Sequence, residues 1–207
     1  MFHLTHIAMT GLLAAFALVF TPASADAQSA DEAEAFVQRE AQEVIDALQA
    51  FQDGELDAET LKRNFRERVD ILADVPRITN FVLGRYRRGA DEAQLDEFRT
   101  VFREFAINTY ERELGNYAGQ TLEVTGSVTR GSGDFIVRST VRANGSGEDV
   151  PVNWRVMSGD DGLKVVDAEV LGVWLAQTQR EQITGIIGNA GGDVSAATSA
   201  LRDRIEE

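Results

Sequence analysis

Four carboxylates, Glu123, Asp134, Asp167 and Glu169, fall on or beside segments that read as β-strands. A carboxyl group among apolar neighbours is raw material for a general acid or base, because burial raises its pKa toward neutrality. Asp167, in the run Val165-Val166-Asp167-Ala168, is the best placed. Carboxylate catalysis also needs a second group at a defined separation, and no pair among the four stands out at such a spacing. Asp167 equally suits a structural role, as a hydrogen-bonding residue on an apolar strand.

The other usual catalytic groups are scarce. The 207 residues include no Cys and two His, His3 and His6, both near the N-terminus. If that end is removed, the chain has no imidazole for a Ser-His-Asp relay, a zinc site or a general base near neutral pH. An enzyme here would have to run on carboxylates, Tyr, Lys or Arg, and neither a metal nor a cofactor is expected. Asp53, Glu55 and Asp57 suggest a calcium loop but lack its full ligand spacing, so they read as a helix junction. The glycine-rich stretches at 131–134, 144–147 and 159–162 lie between strand patterns. They are hairpin turns, since a phosphate-binding loop joins a strand to a helix.

Residues 1–25 contain no Asp, Glu, Lys or Arg, and 11–20 (GLLAAFALVF) form an apolar run. With the small residues Ala23, Ala25 and Ala27 behind it, this predicts a signal peptide over 1–25, cut after Ala25 or Ala27. Two histidines stand where its first segment usually carries Lys or Arg. The run is short of the ~20 residues of a membrane span. The mature chain, 26–207, is expected to be exported, soluble and a single domain, held by core packing without disulfides.

A net charge of −14 disfavours nucleic acid and anionic bilayers as partners. More than half of the Lys and Arg lie in residues 54–113, among them Arg85, Arg87 and Arg88. That cluster reads as a solvated helix face, or as a patch for docking or for a headgroup.

Helical periodicity runs over 31–51 (Val37, Ala41, Val44, Ile45, Leu48, Phe51), then from Asp57 through Leu61, Phe65, Val69 and Leu72. A short helix over 78–83 closes at Gly84. A long one over 91–114 carries the stripe Leu95, Phe98, Val101, Phe102, Phe105 and Thr109, with Tyr110 and Tyr117 at its far end. After Gly119 the period changes to two: Leu122, Val124 and Val128; Phe135, Val137 and Val141; Val150, Val152, Trp154 and Val156; then 163–171. Two helices follow, 174–187 and, behind Asp193 as N-cap, 194–205. The expected fold is α+β, a curved four-stranded antiparallel meander over 120–171 with a helical segment (31–117) and C-terminal helices (174–206) packed on one side. The corner Val170-Leu171-Gly172-Val173-Trp174-Leu175 is unusually apolar for a connection, which normally meets water.

These residues resemble a known family. The run Asp167-Ala168-Glu169-Val170-Leu171-Gly172-Val173, followed by Leu175, Arg180, Gln182 and Ile183, is similar to the strand-to-helix signature of the periplasmic phospholipid-binding proteins of the Mla pathway, the toluene-tolerance family. So are Phe81-Val82-Leu83-Gly84-Arg85-Tyr86-Arg87-Arg88, Phe98, Phe102 and Tyr110, and the Gly191-Gly192 linker before a last amphipathic helix. The resemblance covers roughly 31–205. Trp174 departs from it, standing where many members carry a small Ser, and Arg87 occupies an often aromatic position.

The resemblance implies a soluble periplasmic carrier, not an enzyme. It would hold a phospholipid by its acyl tails and ferry it between an inner-membrane ABC transporter complex and an outer-membrane lipoprotein-porin complex, maintaining outer-membrane lipid asymmetry. A two-tailed lipid presents ~30 methylenes at about 0.8 kcal/mol each against water, so crossing an aqueous space calls for a closed apolar cavity. The expected cavity lies between the sheet face bearing Val124, Val137, Val141, Trp154 and Val156 and the helix bearing Phe98, Val101, Phe102 and Phe105. The corner residues Val170, Leu171, Val173 and Trp174 would line its mouth or wall. Arg85, Arg87 and Arg88 would meet a headgroup or a partner. Two other classes fit the residues alone: an exported protein-binding module, and a carboxylate-dependent enzyme on a cone-shaped α+β scaffold.

Overall fold

The computed structural model describes residues 29–113, 119–142 and 148–206. The expected signal peptide and its cleavage sites, Leu114, Tyr117 and the turn at 144–147 lie outside the described residues. Helix α1 (Ala30–Gln52) starts on a capping box, in which Ser29 accepts from the Glu32 amide and the Glu32 carboxylate accepts from the Ser29 amide. Helix α2 (Ala58–Leu72) is capped by Asp57 and α3 (Val75–Leu83) by Asp74, each through a side-chain oxygen. The acids read as a helix junction are therefore helix-end groups. A 3-10 turn (Gly84–Arg88) leads to α4 (Glu92–Glu113).

The sheet has five strands in the order β1-β2-β3-β4-β5, one more than the sequence indicated. The first four are β1 (Thr121–Gly131), β2 (Asp134–Arg142), β3 (Val150–Gly159) and β4 (Gly162–Val170). The fifth, β5 (Val173–Trp174), turns back on β4 within the apolar corner. Two residues are too short for a period of two to register. Helix α5 (Leu175–Asn189) follows directly, then α6 (Val194–Glu206), where Asp193 accepts from the Ser195 amide.

Register shifts in β1 at Val124/Gly126 and between β3 and β4 at Arg155/Val156 bend the sheet. The register also separates its two faces. One apolar row, Val124-Ser139-Val152-Val170-Val173, crosses all five strands. Both edges are occupied, which denies them to other chains. On β1, the Gln38 side chain donates to the Leu122 carbonyl and accepts from the Val124 amide, both at 3.1 Å. On β4, Ala73 forms a parallel bridge with Val165, and the Asp74 amide donates to the Val165 carbonyl.

Among the described residues the apolar side chains form two large clusters and a small third one, Leu48 of α1 with Leu61 of α2. Ala33, Phe36 and Val37 of α1 pack on Phe135, Val137, Val156 and Val165 of the sheet, with Leu72, Val124, Trp154 and Leu163 around them. The second cluster is all helical: Val82 and Leu83 of α3, Phe98, Val101 and Phe102 of α4, Ile183 and Ile187 of α5, and Val194, Ala197 and Leu201 of α6. Helix α1, not α4, thus lies on the apolar sheet face. The Phe stripe, expected opposite that face, packs instead against α3, α5 and α6. Both stripes satisfy the same burial rule, and periodicity alone does not say which surface each one meets.

Candidate functional site

The four strand carboxylates are all engaged in the fold. Glu123 accepts from Arg142 at 2.6 and 3.0 Å, Asp134 from Arg155 at 2.9 and 3.1 Å, and Glu169 from Asn153 at 2.6 Å. Asp167 accepts from the amides of Ala168 and Ala176, each at 2.8 Å. The second of these caps α5, whose N-cap residue Trp174 offers no side-chain bond. Burial pushes the Asp167 carboxyl up, while the amide donors and the nearby Arg155 guanidinium pull it back in part. Its structural role accounts for an acid on an apolar strand. Among the described residues, no group of three or more His, Cys, Asp or Glu is arranged to hold a metal ion.

The expected lipid-facing residues divide between the two clusters. Phe98 is fully buried, its ring centroid 5.8 Å from that of Phe102; Val101 is buried with them and Phe105 packs at their edge. Val124, Val137, Trp154 and Val156 belong to the sheet cluster. The Trp154 indole donates to the Ser139 hydroxyl, which donates to the Val152 carbonyl, so this apolar face satisfies its own polar atoms. Val141, half-buried, lies opposite Leu122 on one side and Val150 on the other, outside both large clusters. Val170 and Val173 share the row of Val152.

Trp174 stands opposite Glu169, and Glu169 opposite Asn153. The register therefore puts Trp174 on the polar face, not in the apolar wall expected for it. Leu171 projects into solvent at the hairpin tip, 68% exposed. Of the arginines, Arg85 stacks on the Tyr86 ring at 4.8 Å and donates to its hydroxyl at 2.8 Å, whereas Arg87 and Arg88 are exposed.

Two cavities of about 310 Å³ each were not anticipated from the sequence. One lies between α1 and α2, on a floor of Val44, Leu48, Leu61 and Phe65 with Glu43, Asp46 and Glu67 at its rim. The other is an open groove between the α2–α3 junction and α4, lined by Ala73, Val75 and Pro76 and by Arg99 and Arg103. Both are at the small end of the ~300–1,000 Å³ range of ligand pockets. The helical spacing of Leu48, Leu61 and Phe65 was visible in the sequence, but it gives an apolar stripe and not the gap between two such stripes.

Comparison with known proteins agrees with this architecture. A solved structure of a phospholipid-binding protein from Ralstonia solanacearum, in complex with a phospholipid, matches with a TM-score of 0.74 at 27% identity, covering 84% of this chain and 97% of that one. No match is found among curated proteins. The family model described as MlaC protein matches residues 38–203, from the middle of α1 to the end of α6. The chain belongs to the MlaC protein family.

Proposed function

We propose that this protein is a soluble periplasmic carrier. It holds a phospholipid by its acyl tails and passes it between an inner-membrane ABC transporter complex and an outer-membrane lipoprotein-porin complex, maintaining outer-membrane lipid asymmetry. The observation that carries this reading is the match of 84% of the chain to a fold solved with a phospholipid bound. Among the described residues no helix is long and apolar enough to cross a membrane.

The tails take the place of packing within these clusters. Where α1 lifts from the sheet they meet Val124, Val137, Val141, Trp154, Val156 and Val170, and where α4 parts from its helical neighbours they meet Phe98, Val101, Phe102 and Phe105. Either opening exchanges protein–protein for protein–lipid apolar contact, which costs little net burial from water. The tails likewise leave one hydrocarbon environment for another. Affinity is then small relative to the bilayer, and partners set the direction of transfer. Arg87 and Arg88 are available to a headgroup phosphate or a partner carboxylate. The reading assigns binding and transfer, with no covalent step.

The test of transfer uses protein loaded with a fluorescent phospholipid and the purified transporter complex in nanodiscs. Exchange faster than with empty nanodiscs supports the shuttle, and equal rates contradict it. Export is checked by sequencing the secreted chain, which is expected to begin at Asp26 or Gln28.

A further inference from the structure

Strands β4 and β5 are joined by a two-residue hairpin, Leu171-Gly172, with Val170 opposite Val173. Both turn residues have positive φ, +52° and +85°. That is the mark of a type I′ turn, whose preferred first residue is Asn or Gly. Leu171 is the one non-glycine residue with positive φ among those described. There its Cβ crowds the following carbonyl, a strain that Gly avoids and Asn tolerates. The side chain gains no burial in return, at 68% exposed, and Val173 beside it is 51% exposed. Strained backbone and exposed hydrocarbon thus coincide at one residue, where either Asn or Gly would remove both. Strain that the fold does not use points to function.

The surroundings indicate what the tip meets. Glu148 and Asp149 precede β3 at this end of the sheet, Glu169 lies just before the tip, and Glu123 lies across on β1. The single described guanidinium in this group, Arg142, is held between Glu123 and Asp149. The tip is an apolar finger at an acid-rich end of the sheet. That charge repels an anionic bilayer and attracts a basic rim.

We propose that the Leu171-Gly172 hairpin is a docking finger. It inserts into an apolar pocket edged by Lys and Arg on a protein of the complexes that exchange lipid with this carrier. The assignment rests on the carrier reading above. Val173 ends the row that runs back through Val170 and Val152 to Val124, so a partner seated on the finger touches the edge of the apolar face.

The test compares wild type with Leu171→Asn and Leu171→Met. The Asn variant suits the turn and is expected to melt about 2–4 °C higher. It should carry as much phospholipid per protein as wild type. Its binding to at least one of the purified inner- and outer-membrane complexes should weaken about tenfold or more, while the Met variant binds like wild type. Added salt should weaken wild-type binding. Unchanged binding of Leu171→Asn to both complexes overturns the finger and leaves the carrier reading standing. So does binding to protein-free phosphatidylethanolamine/phosphatidylglycerol vesicles that Leu171→Asn abolishes, which would make the tip a membrane-insertion device. A lipid-free wild type that binds neither complex overturns both readings.

Discussion

The Asp167 carboxylate on β4 accepts a hydrogen bond from the Ala176 amide at 2.8 Å and so caps a helix that begins eight residues further on. Strand and helix are thereby fixed at the corner that carries the family resemblance. Asp167→Ala removes the acceptor and is expected to cost about 1–2 kcal/mol of stability, measured by urea unfolding.

The same carboxyl gives a pH test. Its pKa in the fold is raised, chiefly by burial. The fold then holds the proton more tightly than the unfolded chain does. The associated stability is fully present below the unfolded pKa and is lost as pH rises through the folded pKa. Asp167→Asn keeps an oxygen acceptor without the buried charge. Its stability relative to wild type should therefore improve as pH rises from acid to neutral, and a difference that is flat or of opposite slope contradicts the assignment.

Gly84 and Arg180 form a second fixed point. Gly84 has φ +55°, and a Cβ there would lie 2.9 Å from the Arg180 guanidinium. That guanidinium stacks on the Phe81 ring at 4.8 Å and donates to the Phe81 carbonyl, tying α5 to the end of α3. Gly84→Ala is expected to lose about 1–3 kcal/mol from backbone strain and displaced packing. In the double variant with Arg180→Ala the two losses should not add, since the clash is gone and only the strain remains. Strict additivity in thermal melts would show that the residues do not communicate.

Much of this was readable in the sequence, and what was not has a common cause. The helices announced themselves through period and caps, as at Asp57 and Asp193, because those signals are local. The first four strands did so through alternation and glycine turns. Strand β5 was hidden because Leu171-Gly172 lacks the Asn-Gly pair that advertises a two-residue hairpin. Gln38 on the edge of β1 and Asp167 at the start of α5 act on residues distant in sequence or in another element, and no local pattern reports such bonds. The Phe98 stripe was correctly seen as a buried helix face, but its partners, α3, α5 and α6, are a property of the tertiary packing.

The two apolar clusters should respond differently to substitution. Phe98→Ala opens a hole in the helical cluster and is expected to cost about 3–5 kcal/mol even in delipidated protein. Val141→Asp, at a half-buried position outside that cluster, is expected to lower phospholipid content while the far-UV spectrum stays native. Unfolding by Val141→Asp would mark that position as core and remove it from the lipid-facing set.

The measurement that bears most directly on the account is organic extraction of protein purified from the periplasm without detergent, followed by lipid mass spectrometry. The account predicts close to one phospholipid for each protein chain. Protein that carries none, and takes up none when incubated with phospholipid vesicles, would contradict it.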